Sequence, residues 1–419
     1  MLANTPLDLA ALVRDRKPNH TLDGAFYTSR EVYEADIDLI FSRHWIFVAN
    51  EPEIPEAGDY VKIDIGPHSV IILRGDDMGV AAFHNVCRHR GARLVNDTSG
   101  FVGNIVCPYH QWTYNLEGKL IHVEGMGKDF DPDCYGLKQV HVRSVAGLIF
   151  ICLASEAPPD FEEMAARMTP YLAPHNIAQL KVAKQIDIIE EGNWKLTMEN
   201  NRECYHCGGH PELSASFFRI YATRPEDVTE AERADYAYYQ KSSAEFRQIW
   251  EKERLPHEAI ELLDERPTGY RTERLALDKA GESYTLDTKV ACRKLTSDFG
   301  TAKLGTLHFH TQPNSWHHFL SDHAVTFSVL PLSANRTLVR TTWMVHKDAV
   351  EGVDYDIDNL TRVWQATNSQ DCEFVEYTQR GVASPAFEPG PYSGMEYQVN
   401  LFTNWYIGRL AAHLGGRHG

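Results

Sequence analysis

Cys87-Arg88-His89-Arg90-Gly91-Ala92 and Cys107-Pro108-Tyr109-His110-Gln111-Trp112 are the two stretches on which the reading of this 419-residue chain turns. Each sets a thiol and an imidazole a few residues apart, C-x-H in the first and C-x2-H in the second. Together they offer two thiolates and two imidazoles. Two sulfurs on one iron and two ring nitrogens on the other make a mixed-ligand [2Fe–2S] cluster, whose potential lies above that of an all-cysteine cluster. A structural Zn2+ of Cys2His2 type asks for the same four side chains around a single ion. On ligand type alone both stay open, and in either case Cys87, His89, Cys107 and His110 are the ligands.

Outward from these loops the text reads as β structure. Segments 60–65, 70–73, 105–107 and 112–115 are short strand-like runs, with Leu116-Glu117-Gly118-Lys119 as a turn, and 145–153 is expected as one buried strand. Upstream, 25–43 carries apolar positions at helical spacing before strand-like content begins at 44–49. Downstream, Glu156-Ala157-Pro158-Pro159 punctuates the chain. The expected fold class is α+β. An all-β unit spans 44–155 with the ligand loops at its tip, and a second unit of helices and antiparallel sheet is made from 1–43 and 156–419. In that second unit 225–274 is polar and is expected to form helix or loop covering the site. Strand patterns return at 306–310, 324–331 and 337–346, and a helix is expected over 356–380, stopped by Gly381.

Composition narrows the function. With 43% hydrophobic and 24% charged residues the chain is an ordinary globular one, long enough for about two or three domains and longer than an electron carrier needs. A net charge of -17 argues against nucleic acid and against an anionic membrane surface, and it suits a cationic substrate. The longest apolar run, 145–154, is too short to cross a bilayer. The beginning, MLANTPLDLAALVRDRKPN, lacks a basic segment ahead of a long apolar one, so no secretory signal and a cytoplasmic location are expected. Beyond Cys87 and Cys107 the other cysteines form no disulfide framework, and reduced thiols are expected.

A second group of ligand-type residues lies in Glu203-Cys204-Tyr205-His206-Cys207-Gly208-Gly209-His210-Pro211, after a helical pattern over 193–201. Continued as helix, Glu203, His206 and His210 share one face at i, i+3 and i+7, with the glycines and Pro211 ending the helix so that His210 reaches in from a turn. Two imidazoles and one carboxylate leave positions open for O2, as in non-haem Fe(II) oxygenases. The carboxylate is expected from the 356–380 helix, where Leu360, Trp364, Asp371 and Val375 share a stripe that places Asp371 on an otherwise apolar face. Glu373 and Glu376 fall on the far side. Plainer explanations exist: such spacings arise by chance in helices, and an inward Asp is also satisfied by Arg or a backbone donor. Cys204 and Cys207 read as small core residues before a zinc or redox pair. His308, His310, His317, His318 and His323 compete as ligands or serve as hydrogen-bonded structural residues.

The loop texts CRHRGA and CPYHQWTY closely resemble the two cluster-binding loops of the Rieske family. With ENNRECYHCGGHPEL the chain resembles, over about residues 25–410, the oxygenase component of the Rieske non-haem iron oxygenases. The resemblance implies that Cys87 and Cys107 hold one iron of a Rieske [2Fe–2S] cluster and His89 and His110 the other. It also implies that His206, His210 and Asp371 hold a mononuclear catalytic Fe(II), and that Glu203 is the acidic residue linking the two centres. In many members four residues separate the two iron-binding histidines, whereas three separate His206 from His210. Further implied are O2 as co-substrate, a homotrimer in which the cluster of one subunit serves the iron of its neighbour, and NAD(P)H electrons through a separate flavin- or ferredoxin-type reductase. The chain itself has no G-x-G-x-x-G fingerprint and no C-x4-C-x2-C spacing. The texts PNSWHHFLSDH, RTTWMVH and TNSQDCEF are most similar to the branch acting on quaternary ammonium compounds such as glycine betaine and proline betaine (stachydrine). That branch implies a monooxygenase that hydroxylates an N-methyl group of a small cationic substrate and releases formaldehyde. Such a head group is held over aromatic faces, for which Phe217, Tyr221, Phe309, Trp316 and Phe319 are considered as a group. A relative that hydroxylates aromatic rings or aromatic acids is the alternative enzyme, and a Rieske electron carrier the non-enzymatic one.

Overall fold

In the computed structural model, which describes residues 7–218, 220, 225–263 and 266–415, short helices open the chain: α1 (Leu9–Arg14), α2 (Ala25–Thr28) and α3 (Arg30–Ala35), continued by a π-helical turn, Asp36–Phe41. Ser29 caps α3 by accepting from the backbone N–H groups of Glu31 and Val32. Short strands follow: β1 (Ile46–Asn50), β2 (Asp59–Ile65), β3 (His68–Arg74), β4 (Val80–His84), β5 (Ser99–Phe101), β6 (Ile105–Val106), β7 (Thr113–Tyr114), β8 (Leu120–His122), β9 (His141–Val145) and β10 (Leu148–Cys152). They make three small antiparallel sheets, ordered β1-β10-β9, β4-β3-β2-β5 and β6-β7-β8. The single strand expected over 145–153 is instead the hairpin β9–β10. Ala146 and Gly147 both take positive φ, 50° and 96°, which a two-residue hairpin turn demands, and the apolar run conceals that break.

After α4 (Phe161–Leu172) come β11 (Leu180–Glu190), α5 (Trp194–Asn200), α6 (Arg233–Lys252), β12 (Ile260–Leu262), β13 (Tyr270–Leu275), β14 (Thr306–Thr311), β15 (Ser315–Phe319), β16 (His323–Ser333), β17 (Arg336–His346), α7 (Ile357–Val382) and α8 (Tyr397–Gly415). The seven strands form one antiparallel sheet, β11-β17-β16-β15-β14-β13-β12. The polar 225–274 stretch therefore contributes a helix but also β12 and β13, which extend the sheet. Gly381 does not stop α7, which runs one residue past it to Val382.

β14 and β15 are buried along their whole length, so each face must find its own partner. Leu307, Phe309 and Phe319 join Phe47, Phe150 and Phe161 in the core toward the first β unit. Trp316 and Phe327 stack at 4.8 Å on the opposite face, with Trp364 of α7 against Phe327 at 5.1 Å and over His318 at 4.4 Å. Asp356 caps α7 by accepting from the N–H of Asn359, and the buried stripe Leu360, Val363, Trp364, Thr367 and Val375 lays the helix over this face.

α5 is fastened to the beginning of the chain by charge. Asp36 accepts from Lys195 Nζ at 2.5 Å, Trp194 Nε1 at 2.9 Å and Tyr406 OH at 2.6 Å, all of them buried. A desolvated ion pair is a poor net stabiliser, but removing one partner strands the other charge at a cost of about 3–5 kcal/mol. Among the described residues no helix is long and apolar enough to cross a membrane.

Candidate metal centres and active site

The two ligand loops of the first β unit are built alike. Cys87 accepts at its carbonyl from Gly91 N–H and Cys107 from Gln111 N–H, both at 3.0 Å, while their own N–H groups donate to Ala92 and Trp112 carbonyls. The residue four past each cysteine, Gly91 or Gln111, takes positive φ, 78° and 58°, which turns each loop back on itself. Both thiols are buried and His89 and His110 are exposed, their rings 4.7 Å apart, with His89 stacked on Trp112 at 4.8 Å. Tyr114 braces the first loop, its hydroxyl 3.5 Å from Cys87 Sγ and accepting from Arg88 N–H at 3.1 Å. Among the described residues the one group of three or more such side chains converging on a single point lies elsewhere.

That converging group is His206, His210 and Asp371, with ligand atoms all within 4.8 Å of one another. Glu203 and His206 do not continue the preceding helix as the spacing predicted, while His210 does enter from a turn and Asp371 from the later helix, as expected. α5 ends at Asn200, residues 201–206 turn, and Cys207–Gly209 makes a single 3-10 turn. A Cys204–Cys207 disulfide spans the bend, in place of the free thiols expected there. Asp371 arrives from the middle of α7, its Oδ1 at 3.2 Å from His206 Nε2 and 3.4 Å from His210 Nε2. His206 Nδ1 lies 2.5 Å from Glu203 Oε1, and Glu203 Oε2 accepts from the backbone N–H groups of Tyr205 and His206. Glu203 thus fixes the ring and leaves Nε2 facing Asp371 and His210. Burial works against charge on His206, but the bonds to Asp371 and Glu203 prevail and raise its pKa to about 9. Burial lowers that of His210, which is 0% exposed and has no hydrogen-bond partner at either ring nitrogen among the described residues. A buried unmet polar group costs about 1–3 kcal/mol, so this donor set fits a divalent cation at the point the three side chains share.

Phe374, one turn along α7, sets its ring 5.8 Å from His206 and 5.7 Å from His210. Beside Asp371 a narrow recess is lined by residues that include Glu190, Asn200, Trp316, Val339, Asn368 and Val375. Of the aromatic residues expected there Trp316 is present, while Phe217 packs against Tyr284 at 5.9 Å and is not among those lining the recess. Phe309 and Phe319 face the other side of the sheet, because their neighbours in the alternation, His308, His310 and His318, take this one. Tyr221 lies outside the described residues. Trp364, Phe327 and Tyr284 were not singled out as site residues, although Trp364 shares the stripe of Asp371. Three of the competing histidines are tied elsewhere, His308 to Tyr284 OH at 3.1 Å, His310 to Arg202 at 2.7 Å and His323 to Asp322 at 2.9 Å, while His317 and His318 are buried with no hydrogen-bond partner among the described residues and stand outside the group that converges with Asp371.

Comparison with known proteins follows the same division. A family described as "Rieske [2Fe-2S] domain" matches residues 44–144, and one described as "Ring hydroxylating alpha subunit (catalytic domain)" matches 177–412. The glycine betaine monooxygenase oxygenase subunit of Chromohalobacter salexigens is 41% identical over 408 residues, 97% of this chain and 89% of that protein. Its counterpart in Pseudomonas aeruginosa is 42% identical over 411 residues, 97% and 92% of the two chains. The carnitine monooxygenase oxygenase subunit of Escherichia coli is 34% identical over 47% of this chain and 54% of its own. A solved quaternary ammonium Rieske monooxygenase in complex with L-carnitine shares the fold, with TM-score 0.67, 22% identity and coverage of 96% and 98%.

Proposed function

Because the chain belongs to the Rieske non-haem iron oxygenases, as an oxygenase subunit, we propose that it hydroxylates an N-methyl group of a small quaternary ammonium compound, glycine betaine or proline betaine. The carbinol formed on nitrogen collapses to formaldehyde and the demethylated amine. Membership makes the protein an oxidoreductase of monooxygenase type that works with O2 and with electrons from a separate reductase. The observation that carries the substrate class is identity of 41–42% to glycine betaine monooxygenase oxygenase subunits over 97% of the chain.

We assign Cys87, His89, Cys107 and His110 to the Rieske cluster, His206, His210 and Asp371 to the catalytic iron, and Glu203 to the link between the two centres. When bound, the cluster supplies single electrons and the iron supplies O2 activation. The chain's own side chains do the rest. Glu203 orients His206 and takes up or releases the proton at Nδ1. Trp316, which borders the recess and is backed by Phe327, offers its ring to a methylated ammonium that has no N–H to donate. Asn200 and Asn368 edge the recess with amides, and Glu190 with a carboxyl that burial pushes up to about 7. The domains are divided at 155, with 1–43 returning to the catalytic part. A cytoplasmic homotrimer, in which the exposed imidazoles of one subunit meet the iron site of the next, completes the reading.

O2 uptake and formaldehyde release by iron-loaded protein with a surrogate reductase and NADH test it, across glycine betaine, proline betaine, carnitine and benzoate. Matched O2 and formaldehyde with one betaine is the expected result. A hydroxylated aromatic product without formaldehyde would overturn it.

A further inference from the structure

Arg202 is a guanidinium buried without an anion. It sits in the loop between α5 and His206 and is 2% exposed. Nη1 donates to Asn201 Oδ1 at 3.3 Å and faces His310 Nδ1 at 2.7 Å, while Nε and Nη2 have no partner. Arg74, also deeply buried, is provided for, donating to the carbonyls of Ile54 and Met78 and pairing with Glu51; Arg274 donates to the carbonyl of Pro256 and leaves only Nη1 unmet. Among the described residues Arg202 meets no backbone carbonyl and no carboxylate. Nε and Nη2 share one edge of the guanidinium plane, the edge that a carboxylate takes with two parallel hydrogen bonds.

Its position points to the site. His310 stands directly across from Trp316 in the β14–β15 ladder, so their side chains are neighbours on one sheet face. Trp316 borders the recess beside Asp371. Arg202 and the ring wall therefore lie one residue pair apart, on the scale of a small molecule carrying a carboxylate a few bonds from a methylated nitrogen. We propose that Arg202 binds the carboxylate of the substrate, so that the enzyme takes a small zwitterion with its ammonium against Trp316 and its acid group on Nε and Nη2. Burial, and Arg271 nearby, lower the pKa of Arg202 to about 9, the mark of a cation whose surroundings lack a counter-charge. An arriving carboxylate supplies one, and a neutral analogue leaves the two donors unmet.

The proposal rests on the functional reading above for the ammonium end only. The test compares acid and primary-amide pairs, glycine betaine with its amide and benzoate with benzamide, by calorimetric binding and O2 uptake in iron-loaded holoenzyme, Arg202→Gln and Arg202→Lys. In wild type the acid should bind better than its amide by about 100-fold. Arg202→Gln should lose that preference by weakening the acid while leaving the amide within a few-fold, and Arg202→Lys should restore part of it, with cluster spectrum and iron content unchanged. A preference unaltered in Arg202→Gln, equal weakening of both members, or no preference in wild type would overturn the proposal. Should benzoate alone show Arg202-dependent binding, the carboxylate anchor stands and N-demethylation falls. Should glycine betaine be demethylated with a preference insensitive to residue 202, N-demethylation stands and the anchor falls.

Discussion

Asp371 is the one side chain that α7 contributes to the convergence of His206 and His210, and its removal leaves two imidazoles to hold a cation that wants a charged oxygen. Asp371→Ala should keep the visible spectrum of the cluster, lose mononuclear iron by metal analysis and lower turnover by more than about 100-fold. Glu203→Gln should keep both metals, since Glu203 binds the far nitrogen of His206, but slow cluster oxidation by O2 and substrate in rapid mixing; wild-type rates there would remove Glu203 from the path. Glu199 shows burial acting without a metal: desolvation raises it to about 8 although the Tyr27 hydroxyl and Lys195 pull the other way. Its folded pKa lies above the ordinary 4.5, so the stability it adds is full below pH 4.5 and is lost as pH rises through 8. Glu199→Gln should gain on wild type by a few kcal/mol between pH 5 and 9 in urea unfolding. At this scale the two thiol–imidazole loops were legible because their spacing is local, and the convergence of Asp371 on His206 and His210 because its helix stripe betrays it. Arg202 was not, since its lack of an anion exists only once β14 packs against its loop.

At the level of elements, two glycines separate what sequence punctuation says from what it requires. Gly381 looked like a helix stop but lies within α7 with open space where a Cβ would stand. Gly381→Ala should therefore stabilise by about 0.5–1 kcal/mol. Gly147, at φ 96° in the β9–β10 turn, would put a Cβ 2.6 Å from Ala178 N. Gly147→Ala should destabilise by more than Gly381→Ala stabilises, and paired urea midpoints check both. β16 and β17 were legible from alternation, whereas β15 was not: Ser315-Trp316-His317-His318-Phe319 is buried on both faces, so polar and apolar residues do not sort by face. β11 escaped because its half-exposed run of mixed Lys, Gln, Asp and Ile blurs the period.

Across the whole molecule, buried neutral histidines set the response to acid. Burial lowers His44, His175, His308 and His317 to about 3 from the ordinary 6.5. Their folded pKa values are depressed, so the stability they allow is present above pH 6.5 and is lost as pH falls toward 3, where the unfolded chain gains protons that the folded rings refuse. Unfolding free energy should fall steeply between pH 6.5 and 5, before most carboxylates titrate; a flat profile in that window would contradict these assignments. The change from small sheets to the seven-stranded one was legible at this scale from Pro158-Pro159 and the change of pattern. The return of the first residues to the second unit rests on the buried contact of Asp36 with Lys195 and Tyr406, an arrangement with no local signature. That contact also orders events during synthesis. The hydroxyl that completes the Asp36 network is encoded 370 positions later, so the network cannot close until α8 has been made. The cluster unit closes on itself within its own stretch and has its partners in hand far sooner. A stalled or shortened message would therefore yield a protein coloured by its cluster whose iron loop has nothing firm behind it.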